Sequence, residues 1–127
     1  MKTGKLRAAW ILSLLVAATP AWANWMKVDE DDDRAIYIDL AGIVKNGNLR
    51  KVWKLQDLKK EGSLGEKSSR SYWEVDCAMQ SARLLENSLY SGPMASGKIL
   101  ASKGAGDWHN IEPRSVGEII FRFACAP

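Results

Sequence analysis

Between Ser71 and Ser81 the chain reads Ser-Tyr-Trp-Glu-Val-Asp-Cys-Ala-Met-Gln-Ser, with Trp73, Val75, Cys77 and Met79 apolar at alternate positions and Glu74, Asp76 and Gln80 polar between them. A period of two over that length predicts a strand with one buried face. One of the two cysteines of the chain lies on that face; the other, Cys125, stands two residues from the C-terminus. A sheet built outward from this strand, with the end of the chain stapled back onto it, is therefore the expected frame.

Residues 1–23 carry a basic start (Lys2, Lys5, Arg7), an apolar run from Ala8 to Ala18, a break at Thr19-Pro20 and the ending Ala21-Trp22-Ala23. This pattern predicts a secretory signal peptide cleaved after Ala23. At roughly 11 residues the run is too short for a membrane-spanning helix. No later stretch is apolar enough to span a membrane, and no cysteine near Asn24 is placed to accept a lipid. Periplasmic or secreted material is the expectation, with the outer surface less favoured. Residues 24–127 then form one domain.

Removing the signal changes the charge argument. Three of the 18 Lys and Arg lie in it, which leaves 15 bases against 15 acids in residues 24–127. A nucleic-acid role based on overall basicity fails at that step. Two cysteines in an exported chain pair most simply as Cys77–Cys125, and two free or intermolecular thiols are the competing arrangement. Closing that loop restricts the unfolded chain by about 4 kcal/mol.

Strands are expected at Asn24–Val28, Ala35–Leu40, Leu49–Leu58, Ser71–Ser81, Ala82–Ser91 and Lys98–Lys103, five to six in all, antiparallel and in meander-like order. Asp29–Asp33, five consecutive acids, is expected as a solvated turn. Its spacing imitates the start of a calcium loop, but Arg34 and Leu40 occupy the positions that need glycine and glutamate, so no metal is expected. Asn46-Gly47-Asn48 should form a hairpin turn, and Lys59–Arg70 a long mobile loop. Beyond Pro113, the residues Val116, Ile119, Ile120, Phe123 and Ala124 mark one face of a helix capped by Ser115, with Glu118 paired to Arg122. A membrane-surface helix is the weaker alternative, since the polar face lacks the cationic character of such helices. The fold class is thus α+β, an antiparallel sheet with a C-terminal helix packed on one face and tied by the disulfide.

Catalytic chemistry is not supported. Gly92-Pro-Met-Ala-Ser-Gly97-Lys98 matches a phosphate-loop pattern, but Ile99 replaces the magnesium-binding hydroxyl and a strand follows. His109 has no partner at metal-ligand spacing, and no serine sits in a nucleophile turn. No enzyme activity and no cofactor are expected.

Basic residues gather in the middle of the chain: Lys45, Arg50, Lys51, Lys54, Lys59, Lys60, Lys67 and Arg70, opposed by Asp57, Glu61 and Glu66. Together with Arg83 they offer a face for an acidic protein or acidic glycan; an ordinary solvated face that blunts a sheet edge is the competing reading.

The signal, Trp25 near the mature start, Ile36-Tyr-Ile-Asp-Leu40, Val52-Trp-Lys-Leu55, Trp73-Glu-Val-Asp-Cys77, Tyr90-Ser-Gly92, Gly97-Lys-Ile99 and the terminal Cys125 occur in an order that resembles the surface-adhesin protein E family. The resemblance implies an antiparallel sheet with a disulfide-tethered helix, and non-catalytic binding of host matrix or plasma proteins. Adhesins of this type are lipoproteins, and the lack of a lipid-accepting cysteine departs from that pattern. The other expected role is a periplasmic envelope protein that holds a small apolar ligand, or stabilises another envelope protein, between sheet and helix; the ligand version needs a cavity lined by Trp53, Trp73 and Phe123. Exposed sheet edges also admit a homodimer.

Overall fold

The computed structural model of the protein describes residues 24–127; the predicted signal peptide lies outside them. Two ten-residue strands, β4 (Leu49–Leu58) and β6 (Ser81–Tyr90), flank the nine-residue β5 (Ser68–Asp76), pairing antiparallel with it along most of its length. Each long outer strand is then covered by two short ones. β2 (Arg34–Asp39) pairs with the second half of β4 and β3 (Val44–Asn46) with its first half. β7 (Ile99–Lys103) and β8 (His109–Asn110) divide β6 in the same way, and β1 (Trp25–Glu30) closes the far edge against β2. The result is an antiparallel eight-stranded sheet rather than one of five or six strands. β3 and β8 escape the sequence pattern because they are two or three residues long with every side chain exposed, so no alternation marks them.

Helix α1 (Val116–Ala124) begins where expected, with the Ser115 hydroxyl accepting from the Glu118 N–H and Arg122 pairing with Glu118 at 3.0 Å. Its buried stripe is rotated from the expected one. Ile120 and Ala124 are buried and Val116 and Phe121 pack on the core, whereas Phe123 is 36 % exposed. The core is the contact of Ile120 with Ile38, Val52 and Val75, one residue from each central element. Fully burying a side chain of this size contributes about 1.5–3 kcal/mol.

β5 stops at Asp76, one residue short of the cysteine, which shortens the strand predicted to Ser81. The Asp76 carboxylate accepts from the N–H groups of Ala78 and Met79 at 3.0 Å and bends the chain into a turn, where Gln80 takes φ 51° and Met79 is exposed. Local side-chain capture of backbone donors competes with ladder pairing, and here it wins. Cys77 nonetheless bonds to Cys125 across a Cα separation of 5.7 Å, while its N–H donates to Asn48 O. The disulfide therefore joins the turn after β5 to the C-cap of α1.

Two other boundaries move. Asp29 and Glu30 belong to β1, so only Asp31–Asp33 form the turn, with the Asp31 carboxylate accepting from the N–H groups of Asp33 and Arg34. Ser68, Ser69 and Arg70 belong to β5, and the remaining loop is held by backbone hydrogen bonds from Leu58 to Lys67 and from Lys67 to Tyr90. Gly47, at φ 58°, opens the two-residue turn between β3 and β4 as expected.

Candidate protein-docking face

Alternation along the strands sends Val52, Lys54, Trp73, Val75 and Ala82 toward the helix and their neighbours to the opposite face. Register fixes which of those neighbours meet. Tyr37, Leu55, Arg70 and Ser88 form one row across β2, β4, β5 and β6. Trp53, Tyr72 and Glu86 form the next, and Lys51, Glu74 and Arg83 the one after. At one end the Ser91–Lys98 segment folds back over this face: the Ser68 hydroxyl donates to Gly92 O and accepts from the Ala95 N–H, and Asp57 accepts from the Met94 N–H. That is the role of the phosphate-loop lookalike, which leads into strand β7.

The remaining part of the face carries a connected set of aromatic rings and charges. Trp53 stacks on Tyr72 with centroids 4.3 Å apart, and the Arg70 guanidinium sits 4.5 Å from the Trp53 ring centroid. Arg70 Nε is buried and has no hydrogen-bond partner. Glu74 is buried and receives two bonds from Arg83, at 2.7 and 2.9 Å, while the Arg83 guanidinium lies 5.0 Å from the Trp108 ring centroid. Desolvation, and then the Glu86 and Glu74 carboxylates, push the Tyr72 phenol above its usual range.

The predicted basic residues do not converge on one patch. Lys51 and Arg83 lie on this open face with Glu74 between them. Lys45 and Arg50 pair across β3 and β4 at the end of the sheet, with Arg50 bonding the carbonyls of Gly47 and Leu49. Lys54 faces the helix. Lys59 and Lys60 lie at the other end of β4, roughly 30 Å from Arg50 along the strand, and Lys59 is paired with Glu30 at 3.3 Å. Lys67 faces Glu61 at 3.9 Å in the same loop. A cluster in sequence is split here because a strand distributes adjacent residues to two faces.

The trio expected to line a ligand cavity is also divided. Trp53 is on the open face and Phe123 is exposed, so only Trp73 borders the space of about 150 Å³ beneath α1. The joint cluster of Trp53, Arg70, Tyr72, Glu74, Arg83 and Trp108 was not apparent from the sequence, although opposite parity to the helix-facing Val52, Trp73 and Val75 marks four of its members.

Residues 25–126 match the family model of surface-adhesin protein E. The fold is that of Haemophilus influenzae protein E, with a TM-score of 0.62 at 18 % identity, covering 81 % of this chain and 94 % of that one. A second crystal form of that protein gives 0.61 at 17 %, covering 80 % and 96 %, and protein E from non-typeable Haemophilus influenzae gives 0.60 at 15 %, covering 82 % and 76 %. No curated protein sequence matches the chain.

Proposed function

The chain belongs to the surface-adhesin protein E family, and from that premise we propose that it is an exported, non-enzymatic binding protein whose open sheet face docks a host matrix or plasma protein. The observation that carries this reading is the Trp53–Tyr72–Arg70 cluster. Trp, Tyr and Arg dominate the energetics of protein interfaces: the two aromatics bury large area with little loss of side-chain freedom, and the guanidinium adds a rigid fork of donors. Here the two rings are already stacked and the guanidinium is already seated, so their ordering precedes binding. The Arg70 guanidinium, seated over the Trp53 ring, adds a positive charge beside the aromatic pair. Glu74, held between Lys51 and Arg83, adds fixed charge beside the rings.

The Cys77–Cys125 bond fits an oxidising compartment and so supports the export part of this reading. The test is biolayer interferometry of purified residues 24–127 on immobilised basement-membrane extract and plasma proteins. Trp53→Ala and Arg70→Ala should each weaken binding at least tenfold, while Lys60→Ala in the distant loop leaves it unchanged. Equal binding by all three variants, with circular dichroism showing each folded, would remove the open face from consideration.

A further inference from the structure

The helix side of the sheet holds a second feature, separate from the docking face. Lys54, Trp73, Val75, Ala82, Val116 and Ile120 enclose a cleft of about 150 Å³ between α1 and strands β4, β5 and β6. A cavity of that order accommodates one benzene-sized molecule. All of its walls are apolar except at Lys54, whose ammonium lies 5.4 Å from the Trp73 ring centroid and makes no ion pair or hydrogen bond among the described residues. Lys27, Lys59 and Lys67, by contrast, each have a carboxylate partner.

We propose that this cleft binds a small organic carboxylate, with the apolar body between Val75, Ala82, Val116 and Ile120 and the carboxylate on the Lys54 ammonium. A half-buried cation without a counter-charge carries a desolvation cost, and an anion entering beside it offsets that cost with a charge-assisted hydrogen bond. The charge near Lys54 that acts on it most strongly is Arg34, a second cation, so the local field also favours an anion. Glu118, the acid of α1, is engaged elsewhere: its carboxylate accepts from the Arg114 N–H and pairs with Arg122. Burial together with Arg34 holds Lys54 down at about 8, which still leaves it mainly protonated at neutral pH.

Benzoate and toluene are the probes, titrated into residues 24–127 while the Ala82 and Val116 methyl resonances are followed by NMR. Benzoate should shift both methyls saturably. Lys54→Met should weaken benzoate at least tenfold and leave toluene within twofold; Lys54→Gln, a polar neutral replacement, repeats the test if the methionine variant does not fold. Ala82→Leu fills the cleft and should abolish binding of both probes. Trp53→Ala, on the opposite face, should leave benzoate binding unchanged, which separates this site from the docking face. The proposal is overturned if benzoate gives no saturable shift, if a folded Lys54 variant binds it as tightly as the parent, or if Ala82→Leu binds it normally.

Discussion

Trp53 and Tyr72 stand directly opposite one another on β4 and β5, their ring centroids 4.3 Å apart and their planes inclined by 24°. Neither ring is covered by the helix, which packs on the other side of the same strands. Arg70, two residue pairs along the ladder, lies over Trp53 and extends the stack to three groups. A half-buried stack of this kind, outside the helix-covered core, is held chiefly by ring–ring and cation–ring attraction. A double-mutant cycle with Trp53→Leu and Tyr72→Leu, read by urea unfolding, should give a coupling of about 0.5–1.5 kcal/mol. Strict additivity would mean that the rings merely lie side by side.

Arg83 is part of the same face but carries a structural duty as well. Glu74 is only 6 % exposed, and Arg83 supplies both of its strong contacts. Arg83→Met leaves that carboxylate buried without its partner, at a cost on the order of 2–4 kcal/mol. Glu74→Leu combined with Arg83→Met should recover much of the loss, because no charge is then left buried and unpaired. Thermal unfolding of the three variants checks this; equal destabilisation by the single and double changes would show that packing of the arginine stem, not charge, is at stake.

The strands with long alternating runs were legible in the sequence, and Leu49–Leu58 emerges with the bounds expected for it. The helix was legible too, through its cap and its apolar spacing. The short strands were not, because two or three exposed residues carry no period. The end of β5 was misplaced because Asp76 captures two backbone donors, a local competition that the alternation of Cys77 and Met79 conceals. The site was harder still. Lys51 and Lys54 look like members of one basic run, yet they are three steps apart along the strand, an odd number that puts them on opposite faces. Trp53 looks like core beside Val52, but only register shows that it lies on the face without a helix, where Leu55 is buried and Trp53 is only half-buried.

The covalent link between Cys77 and Cys125 encloses the β6, β7, β8 and α1 segments in one loop. Removing it by the double change Cys77→Ser and Cys125→Ser should lower stability by up to about 4 kcal/mol, chiefly through a freer unfolded chain. Helix α1 contributes one buried core residue per turn at Ile120 and Ala124, so its docking should loosen first. Hydrogen exchange should therefore show α1 amides losing protection before those of β4 and β5 in the double-serine variant. Uniform loss of protection across sheet and helix would instead place the helix within a single cooperative unit that does not need the clasp.

Lys54 gives a pH dependence of defined sign. Burial, reinforced by Arg34, lowers its ammonium from the ordinary 10.5 to about 8 in the folded protein. Between those values the unfolded chain retains the proton and the folded chain has released it, so the unfolded state binds more protons and stability rises with pH through this window. The gain should be on the order of 1–3 kcal/mol by pH 10.5, reduced by whatever solvent reaches the amine. Tyr72, whose phenol is held above its usual range, opposes this only where the unfolded phenol ionises, near pH 10. Urea midpoints at pH 7, 8, 9 and 9.5 should therefore climb in the parent relative to Lys54→Met, in which the buried charge is absent. The methionine variant should also be the more stable of the two at pH 7, with the difference narrowing as the parent lysine loses its proton. Parallel curves across that range would mean that the amine is solvated in the folded state and that the cleft beneath α1 is open to water at Lys54.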